Sequence, residues 1–367
     1  MYKISLGCGC RRLRFKRIVN ILYQHERTLS SSNGSKKVDK KSMAASPAEL
    51  TKNGITSLHQ DICNELETQV PVLKGAAQYY FDGKGKLFRP MAVMLAGHAC
   101  NIHLKQNGEL TVGQKRVAMI AEMIHTASLL HDDVIDEATE RRNKPSVNHA
   151  FSQKEAILAG DFILSRSSIL LAQLGNTKAV ELFSYIINDL VKGELMQLFT
   201  KDNLNERFNH YLLKTYRKTA SLIAYSCQSI ALLGGSDDQI QDAMYNYGRN
   251  IGIAFQLVDD ALDFVSTSDV LGKPAGADLS LGLATAPILF AAEKYPDLHG
   301  LIGRRFKHEG DVQQAFEMVH ESDGVSETFM LARKYVDQAT KDIAFLKDSE
   351  YKEALRVLGE MVITRDR

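Results

Sequence analysis

Met123-Ile124-His125-Thr126-Ala127-Ser128-Leu129-Leu130-His131-Asp132-Asp133-Val134-Ile135-Asp136 decides how this chain is read. Val117, Ile120, Ala121, Ile124, Ala127 and Ser128 recur three and four apart, the spacing of one face of a helix. That face should meet a core, yet it runs into three aspartates, which are rarely buried unless their charge is offset. On a helix Asp132 and Asp136 lie four apart and share a side. A second pentad, Asp259-Asp260-Ala261-Leu262-Asp263, repeats the D-D-x-x-D pattern 127 positions later, behind Ile251-Gly252-Ile253-Ala254-Phe255-Gln256-Leu257-Val258. Composition alone produces one such pentad in on the order of one chain in ten, and two beside apolar runs in about one in a hundred. The simplest reading is a pair of acidic walls around a cavity. Carboxylates with no His or Cys beside them suit a hard cation such as magnesium, which keeps waters and substrate phosphates as its other ligands. A diphosphate is the ligand that fits.

Outside the pentads the same helical period appears in Leu182, Ile186, Leu190 and Val191, and in Leu222, Ser226, Ile230 and Leu233. Alternating strand patterns are scarce. Breaks fall at Asp82–Lys86, Asn107–Glu109, Asn143–Pro145, Gly234-Gly235, Gly272–Gly276 and Tyr295-Pro296. The expectation is an all-α bundle of roughly ten to twelve helices in one domain over 46–367. No segment offers the ~18 consecutive apolar residues of a membrane span.

The formal net charge of +1 hides an asymmetry. Residues 1–41 hold eleven of the 45 Lys/Arg and two of the 44 Asp/Glu, so the remainder is acidic. An acidic body argues against a nucleic-acid binder. Residues 1–45 are Arg-rich, poor in acids and contain Ser30-Ser31-Ser32, the composition of a mitochondrial transit peptide; the other reading is a disordered basic tail. Cys8, Cys10, Cys63, Cys100 and Cys227 lack zinc-ligand spacing outside that head and read as reduced bystanders.

Cations with phosphate-binding potential flank the pentads. Gly83-Lys84-Gly85-Lys86-Leu87-Phe88-Arg89-Pro90 places Lys86 and Arg89 three apart behind two glycines, and Arg141-Arg142 follows the first pentad. Arginine forks can clamp a diphosphate, although read singly each is equally a basic turn or a solvated helix end. Lys218 and Lys273 carry less information still.

In order, G-K-x-x-R-P, I-H-T-A-S-L-L-H-D-D-V-I-D with R-R five on, A-G-D, K-T, F-Q-L-V-D-D and G-K resemble the trans-isoprenyl diphosphate synthases over about residues 75–367. Phe81-Asp82-Gly83-Lys84-Gly85-Lys86 and Ala121-Glu122-Met123-Ile124-His125-Thr126-Ala127-Ser128 narrow the likeness to long-chain polyprenyl synthases of the ubiquinone side chain. The resemblance implies an isoprenoid-synthase-type bundle with a central cavity, in the mitochondrial matrix. It also implies condensation of isopentenyl diphosphate onto farnesyl or geranylgeranyl diphosphate, with roughly two to three magnesium ions. Asp132, Asp136, Asp259 and Asp263 would ligate the metal, and Asp133, Asp260 and Lys218 would join them in catalysis. Lys86, Arg89, His125 and Arg142 would hold isopentenyl diphosphate, Arg141 would touch the allylic diphosphate, and Lys218, Thr219, Gln256 and Lys273 would serve the departing diphosphate. Without the motif match, His125 reads as a satisfied core histidine.

Ala127 and Ser128, small and five and four residues before Asp132, imply room for a long prenyl product; close helix packing would also explain them. The chain departs from the family at Lys84, at Gly276-Ala277-Asp278 and at Leu283, where many relatives carry a lysine. Those departures raise the alternative of a co-dependent or non-catalytic subunit. The implied partners are a second copy or a second prenyl synthase subunit, with at most peripheral membrane contact for product release.

Overall fold

Thr111 and Gln114 start the helix that carries the first pentad. In the computed structural model, described over residues 46–83, 87–198, 204–265 and 276–365, Thr111 Oγ1 accepts the Gln114 N–H while Gln114 Oε1 accepts the Thr111 N–H. This reciprocal cap satisfies two donors the helix cannot. The buried Gln114 amide also donates to Asn101 Oδ1 and to the Ile230 carbonyl. One side chain thus fixes the axial position of the pentad helix against two neighbours, a choice the capping pattern alone does not reveal.

The chain runs α1 (Pro47–Glu65), α2 (Pro71–Gln78), α3 (Phe88–His103), α4 (Val112–Ile135), β1 (Glu140–Arg141), β2 (Lys144–Pro145), α5 (Val147–Ala150), α6 (Gln153–Gln173), α7 (Thr177–Leu198) and α8 (Leu204–Thr215). A single π turn, Tyr216–Ala220, leads into α9 (Ser221–Leu233) and α10 (Asp238–Val265). There follow α11 (Ala277–Ser280), α12 (Ala286–Lys294), α13 (Leu298–Gly303), α14 (Asp311–His320), α15 (Gly324–Asp342) and α16 (Glu350–Thr364). The all-α expectation holds. The described residues contain more helices than the ten to twelve expected, because short ones such as α5, α11 and α13 span too few turns to register as periodicity.

α10 packs against α9 and α15, and α4 against α6. Most buried apolar side chains form one core around these helices, including Ile120, Ile124, Leu130, Ile251, Leu257 and Val336. A second, smaller cluster gathers Phe264, Leu279, Ile288, Leu298 and Val319 beyond the end of α10. The predicted break at Asn143–Pro145 is a two-residue hairpin in which Glu140 pairs with Pro145 and Arg141 with Lys144. Arg142 and Asn143 both take positive φ, 54° and 60°, as a tight antiparallel connection requires. No described helix is long and apolar enough to cross a membrane.

Two glycines permit close approaches that place the site. A Cβ on Gly252 of α10 would lie 2.6 Å from Ala220 Cα, and one on Gly193 of α7 would lie 2.9 Å from the Lys218 backbone nitrogen. α7 and α10 therefore sit directly against the π turn. Gly252→Ala would gain about 1 kcal/mol of helix propensity but force two backbones apart, which costs about 1–3 kcal/mol. The expected net loss is about 0–2 kcal/mol in a denaturant titration; a raised midpoint would show that the contact relaxes without penalty.

Candidate active site

Both pentads stand at helix C-terminal ends. Asp132 and Asp133 lie in the last turn of α4, and Asp136 caps it, its N–H bonding the Asp132 carbonyl at 2.8 Å. Asp259, Asp260 and Asp263 occupy the last two turns of α10. A helix C-terminus carries partial negative charge, so it repels carboxylates and favours cations. Each wall therefore concentrates charge that the helix itself opposes.

At the first wall Lys218 is the local counter-ion. Its Nζ lies 2.5 Å from Glu194 Oε2 and 4.0 Å from Asp132 Oδ2. Burial pushes the Asp132 carboxyl up to about 6; Lys218 opposes the rise, while Glu194 and Asp136 add to it. Asp136, more exposed, moves in the same direction for the same leading reason. One lysine faces three acids. Glu194 was not picked out from the sequence, and its only signal is that it follows Gly193, the residue that lets α7 approach Lys218.

Asp133 faces the opposite way. It is fully buried, its Oδ1 accepting from Arg141 Nε and Nη2 at 2.6 Å and its Oδ2 from the Tyr80 hydroxyl at 2.7 Å. The structure thus gives Asp133 the geometry of a group that orients Arg141 on the hairpin. The second aspartate of the other pentad behaves likewise. Buried Asp260 accepts from Tyr211 at 2.5 Å and from Gln256 Nε2 at 2.8 Å, while Thr219 donates to Gln256 Oε1 at 2.9 Å. Burial is also the leading cause that pushes Asp260 up to about 6, against Lys214 and its two donors. Thr219 and Gln256, expected to meet substrate, are joined here in a chain that fixes Asp260.

Asp263 Oδ1 accepts the Ala277 N–H at 3.2 Å and Oδ2 the Asp278 N–H at 3.1 Å, folding the returning chain over the end of α10. A carboxylate oxygen can accept more than one partner, the capacity that a cation ligand needs. Asp278 becomes a further acid of this wall, pushed up to about 7 by burial, then by Asp260 and Asp263. A small open cleft of about 60 Å³ is lined by Gln197, Arg207, His210, Tyr211, Lys214 and Leu283 among others.

Cations gather on the side of α4 that carries His125. Arg89 Nη1 donates to His125 Nε2 at 2.9 Å; an arginine can only donate, so this imidazole is neutral with its proton on Nδ1. Burial, then Arg89 and Arg142, hold His125 well below its ordinary value. The buried Glu122, one turn earlier, is pushed up to about 7 by burial against the pull of Arg89 and Arg142. Phe88 packs on Phe255, with centroids 4.8 Å apart, closing this corner against α10. Arg365 reaches it from the end of the chain, 2.8 Å from Asp259 Oδ1. Lys86 and Lys273 lie outside the described residues. Ala127 is fully buried, and Ser128 bonds back to the His125 carbonyl at 2.8 Å.

The donor set fits a divalent cation bound jointly with an anion. It is all carboxylate, surplus over its lysine, raised by burial and then by mutual repulsion, and placed at negative helix ends. Among the described residues no three His, Cys, Asp or Glu side chains are already gathered as a cage. Magnesium tolerates such an arrangement because waters and phosphate oxygens complete its shell.

A family model described as polyprenyl synthetase matches residues 70–319. Human all trans-polyprenyl-diphosphate synthase PDSS1 is 50% identical over 321 residues, covering 88% of this chain and 77% of that protein. A probable mitochondrial hexaprenyl pyrophosphate synthase of Neurospora crassa is 41% identical, covering 88% and 82%. Among solved structures, the polyprenyl synthase of Caulobacter crescentus complexed with calcium and isoprenyl diphosphate superposes with a TM-score of 0.79 at 30% identity, over 90% of this chain and all of that one.

A divalent cation held by Asp132 would compete with the proton on this carboxyl, which burial pushes up to about 6. A raised acid is more easily protonated in the fold, so metal binding weakens as pH falls through about 6 and is full above it. The rise in melting temperature caused by millimolar magnesium should therefore be larger at pH 7.5 than at pH 5.5. Taking the increment at each pH isolates the groups whose protonation the metal changes. Equal increments at both pH values would refute this; Asp132→Asn should flatten the dependence.

Proposed function

The chain belongs to the polyprenyl synthetase family, and from that premise we propose how its site works. It is a prenyltransferase, a long-chain trans-polyprenyl diphosphate synthase of ubiquinone side-chain synthesis. The observation that carries the residue assignments is the pairing of acidic helix ends, each with charge in excess of its local lysine, beside a corner of arginines and a neutral histidine.

Asp132, Asp136, Asp259 and Asp263 would hold roughly two to three magnesium ions. Bound metal supplies positive charge to the leaving diphosphate of the allylic substrate. Lys218 adds a protein cation at the same place, and Arg141, oriented by Asp133, meets that diphosphate from the hairpin. Arg89, Arg142 and Lys86 hold isopentenyl diphosphate, with neutral His125 completing the set. Asp260, pinned by Tyr211 and the Thr219–Gln256 chain, keeps the end of α10 in place. As the allylic carbon–oxygen bond breaks, the double bond of isopentenyl diphosphate forms the new carbon–carbon bond, and one proton leaves to the released diphosphate. Stabilised charge in a water-poor site does this work without a protein nucleophile.

Residues 1–45 serve as a mitochondrial transit segment in this reading, supported by their composition and by the mitochondrial name of the Neurospora relative, with the mature domain over 46–367 in the matrix. Val180, Ile187, Val191 and Leu195 form an exposed apolar stripe on α7, 37–57% accessible. Such a stripe suits a subunit interface, so we assign it to a second copy or a second synthase subunit.

The deciding experiment supplies residues 46–367 with magnesium, farnesyl or geranylgeranyl diphosphate, and labelled isopentenyl diphosphate. Hexaprenyl or longer product is expected. Turnover only with an added second subunit would identify a heteromer, and none in either case would sink the catalytic reading. Asp132→Ala should lower turnover by about 10²–10³-fold with an unchanged circular dichroism spectrum; wild-type rates would remove Asp132 from the site.

A further inference from the structure

Lys144 stands directly across the hairpin from Arg141, so two cations share one face of a two-stranded ribbon. Like charges directly opposite each other destabilise an antiparallel pair, and a ribbon of two short strands is marginal by itself. Contacts from outside the hairpin have to hold it. Lys144 Nζ donates to the Tyr79 carbonyl at 2.6 Å and to Asp82 Oδ2 at 2.8 Å. The same nitrogen lies 4.1 Å from the Tyr79 ring centroid and 5.2 Å from that of Tyr80. Lysine ammonium groups ordinarily reach for water, yet only 23% of this side chain is exposed. It is caged.

The lysine cage and the clamp on Arg141 are built from two consecutive residues just past α2. Tyr79, besides receiving Lys144, donates its hydroxyl to the Pro145 carbonyl at 3.0 Å. Tyr80 donates to Asp133 Oδ2, while Asp133 Oδ1 accepts Arg141, and the Tyr80 hydroxyl accepts the Val147 N–H at 3.3 Å. One strand is thus pinned through Asp133 and Tyr80, the other through Tyr79 and Asp82. A neutral residue at 144 would remove the repulsion across the hairpin, so the ribbon itself gives no reason for a charge there. The reason lies in what the charge grips: the end of α2, from which Tyr80 also sets Asp133.

We propose that Lys144 is a positioning residue for prenyl transfer, locking the hairpin so that the Arg141 guanidinium is presented to the diphosphate of the allylic substrate. The proposal rests on the reading that Arg141 meets that diphosphate. Lys144 acts through Arg141 and touches no substrate, because two of its three donors are engaged by Tyr79 and Asp82 and two rings cover its flank. Without the cage the hairpin keeps its turn but loses its fixed distance from α4. A guanidinium displaced by about 1 Å loses the alignment that a diphosphate clamp needs.

The test is titration calorimetry of farnesyl diphosphate with magnesium on the full chain, for the wild type, Lys144→Met, Arg141→Ala and the double variant. Lys144→Met keeps the aliphatic stem and drops the charge. It should weaken binding about ten-fold with an unchanged circular dichroism spectrum, and Lys144→Arg should recover part of that loss. In the Arg141→Ala background, Lys144→Met should add less than about two-fold, because the group it positions is gone. Asp82→Asn opens the same cage from its other side and should weaken binding in the same direction; it decides the matter if Lys144→Met does not fold. A lowered melting temperature with unchanged affinity would overturn the proposal by leaving Lys144 a structural tether. Full additivity with Arg141→Ala would overturn it as well, by giving Lys144 an effect independent of Arg141. If Arg141→Ala weakens binding and neither cage variant does, Arg141 keeps its place and Lys144 is excluded. If the wild type binds no farnesyl diphosphate, or Arg141→Ala changes nothing, the reading of Arg141 fails and the proposal falls with it.

Discussion

Carboxylates gathered at the C-terminal ends of α4 and α10 are the constraint from which the rest of the site follows. Helix dipoles oppose them, burial opposes them, and they oppose one another. Burial and mutual repulsion raise Asp132, Asp260 and Asp278 well above the ordinary carboxylate range. A fold retains such an arrangement when a ligand supplies the compensating charge. Metal and diphosphate together do so, because the diphosphate keeps the cations from being the only new charge.

Within each pentad the aspartates divide their labour by helical geometry. Consecutive residues lie about 100° apart around the axis, so a side chain next to one facing the cleft points into the body. Asp133 and Asp260 take that inner position, and each is held by a tyrosine: Tyr80 from the end of α2 and Tyr211 from α8. Charged hydrogen bonds of this kind hold the neighbouring groups in place and limit reorganisation during reaction.

The cations are delivered differently. Lys218 rides on a π turn, where an extra residue in the helical repeat re-aims side chains, and Gly193 and Gly252 let two helices close on that turn. Arg141 and Arg142 stand on a two-residue hairpin instead of the helix end their position suggests, because positive φ at Arg142 and Asn143 ends the helical path. Arg365 comes from the far end of the chain.

The sequence by itself determined the all-α class, the two acidic walls, and the cations near them in the chain. Helical period and short motifs are local properties, written in residues within two or three turns of each other. Tertiary structure alone decided that Asp133 and Asp260 point inward, that Thr219 and Gln256 serve Asp260, and that Glu194, Asp278, Tyr80 and Tyr211 belong to the walls. It alone placed Arg365 against Asp259, 106 positions back along the chain. These contacts depend on helix rotation and on packing distances set by residues such as Gly193, Gly252 and Gln114, whose partners are remote in sequence. No periodicity encodes which buried donor will meet which buried carboxylate, because that choice is made when the helices pack.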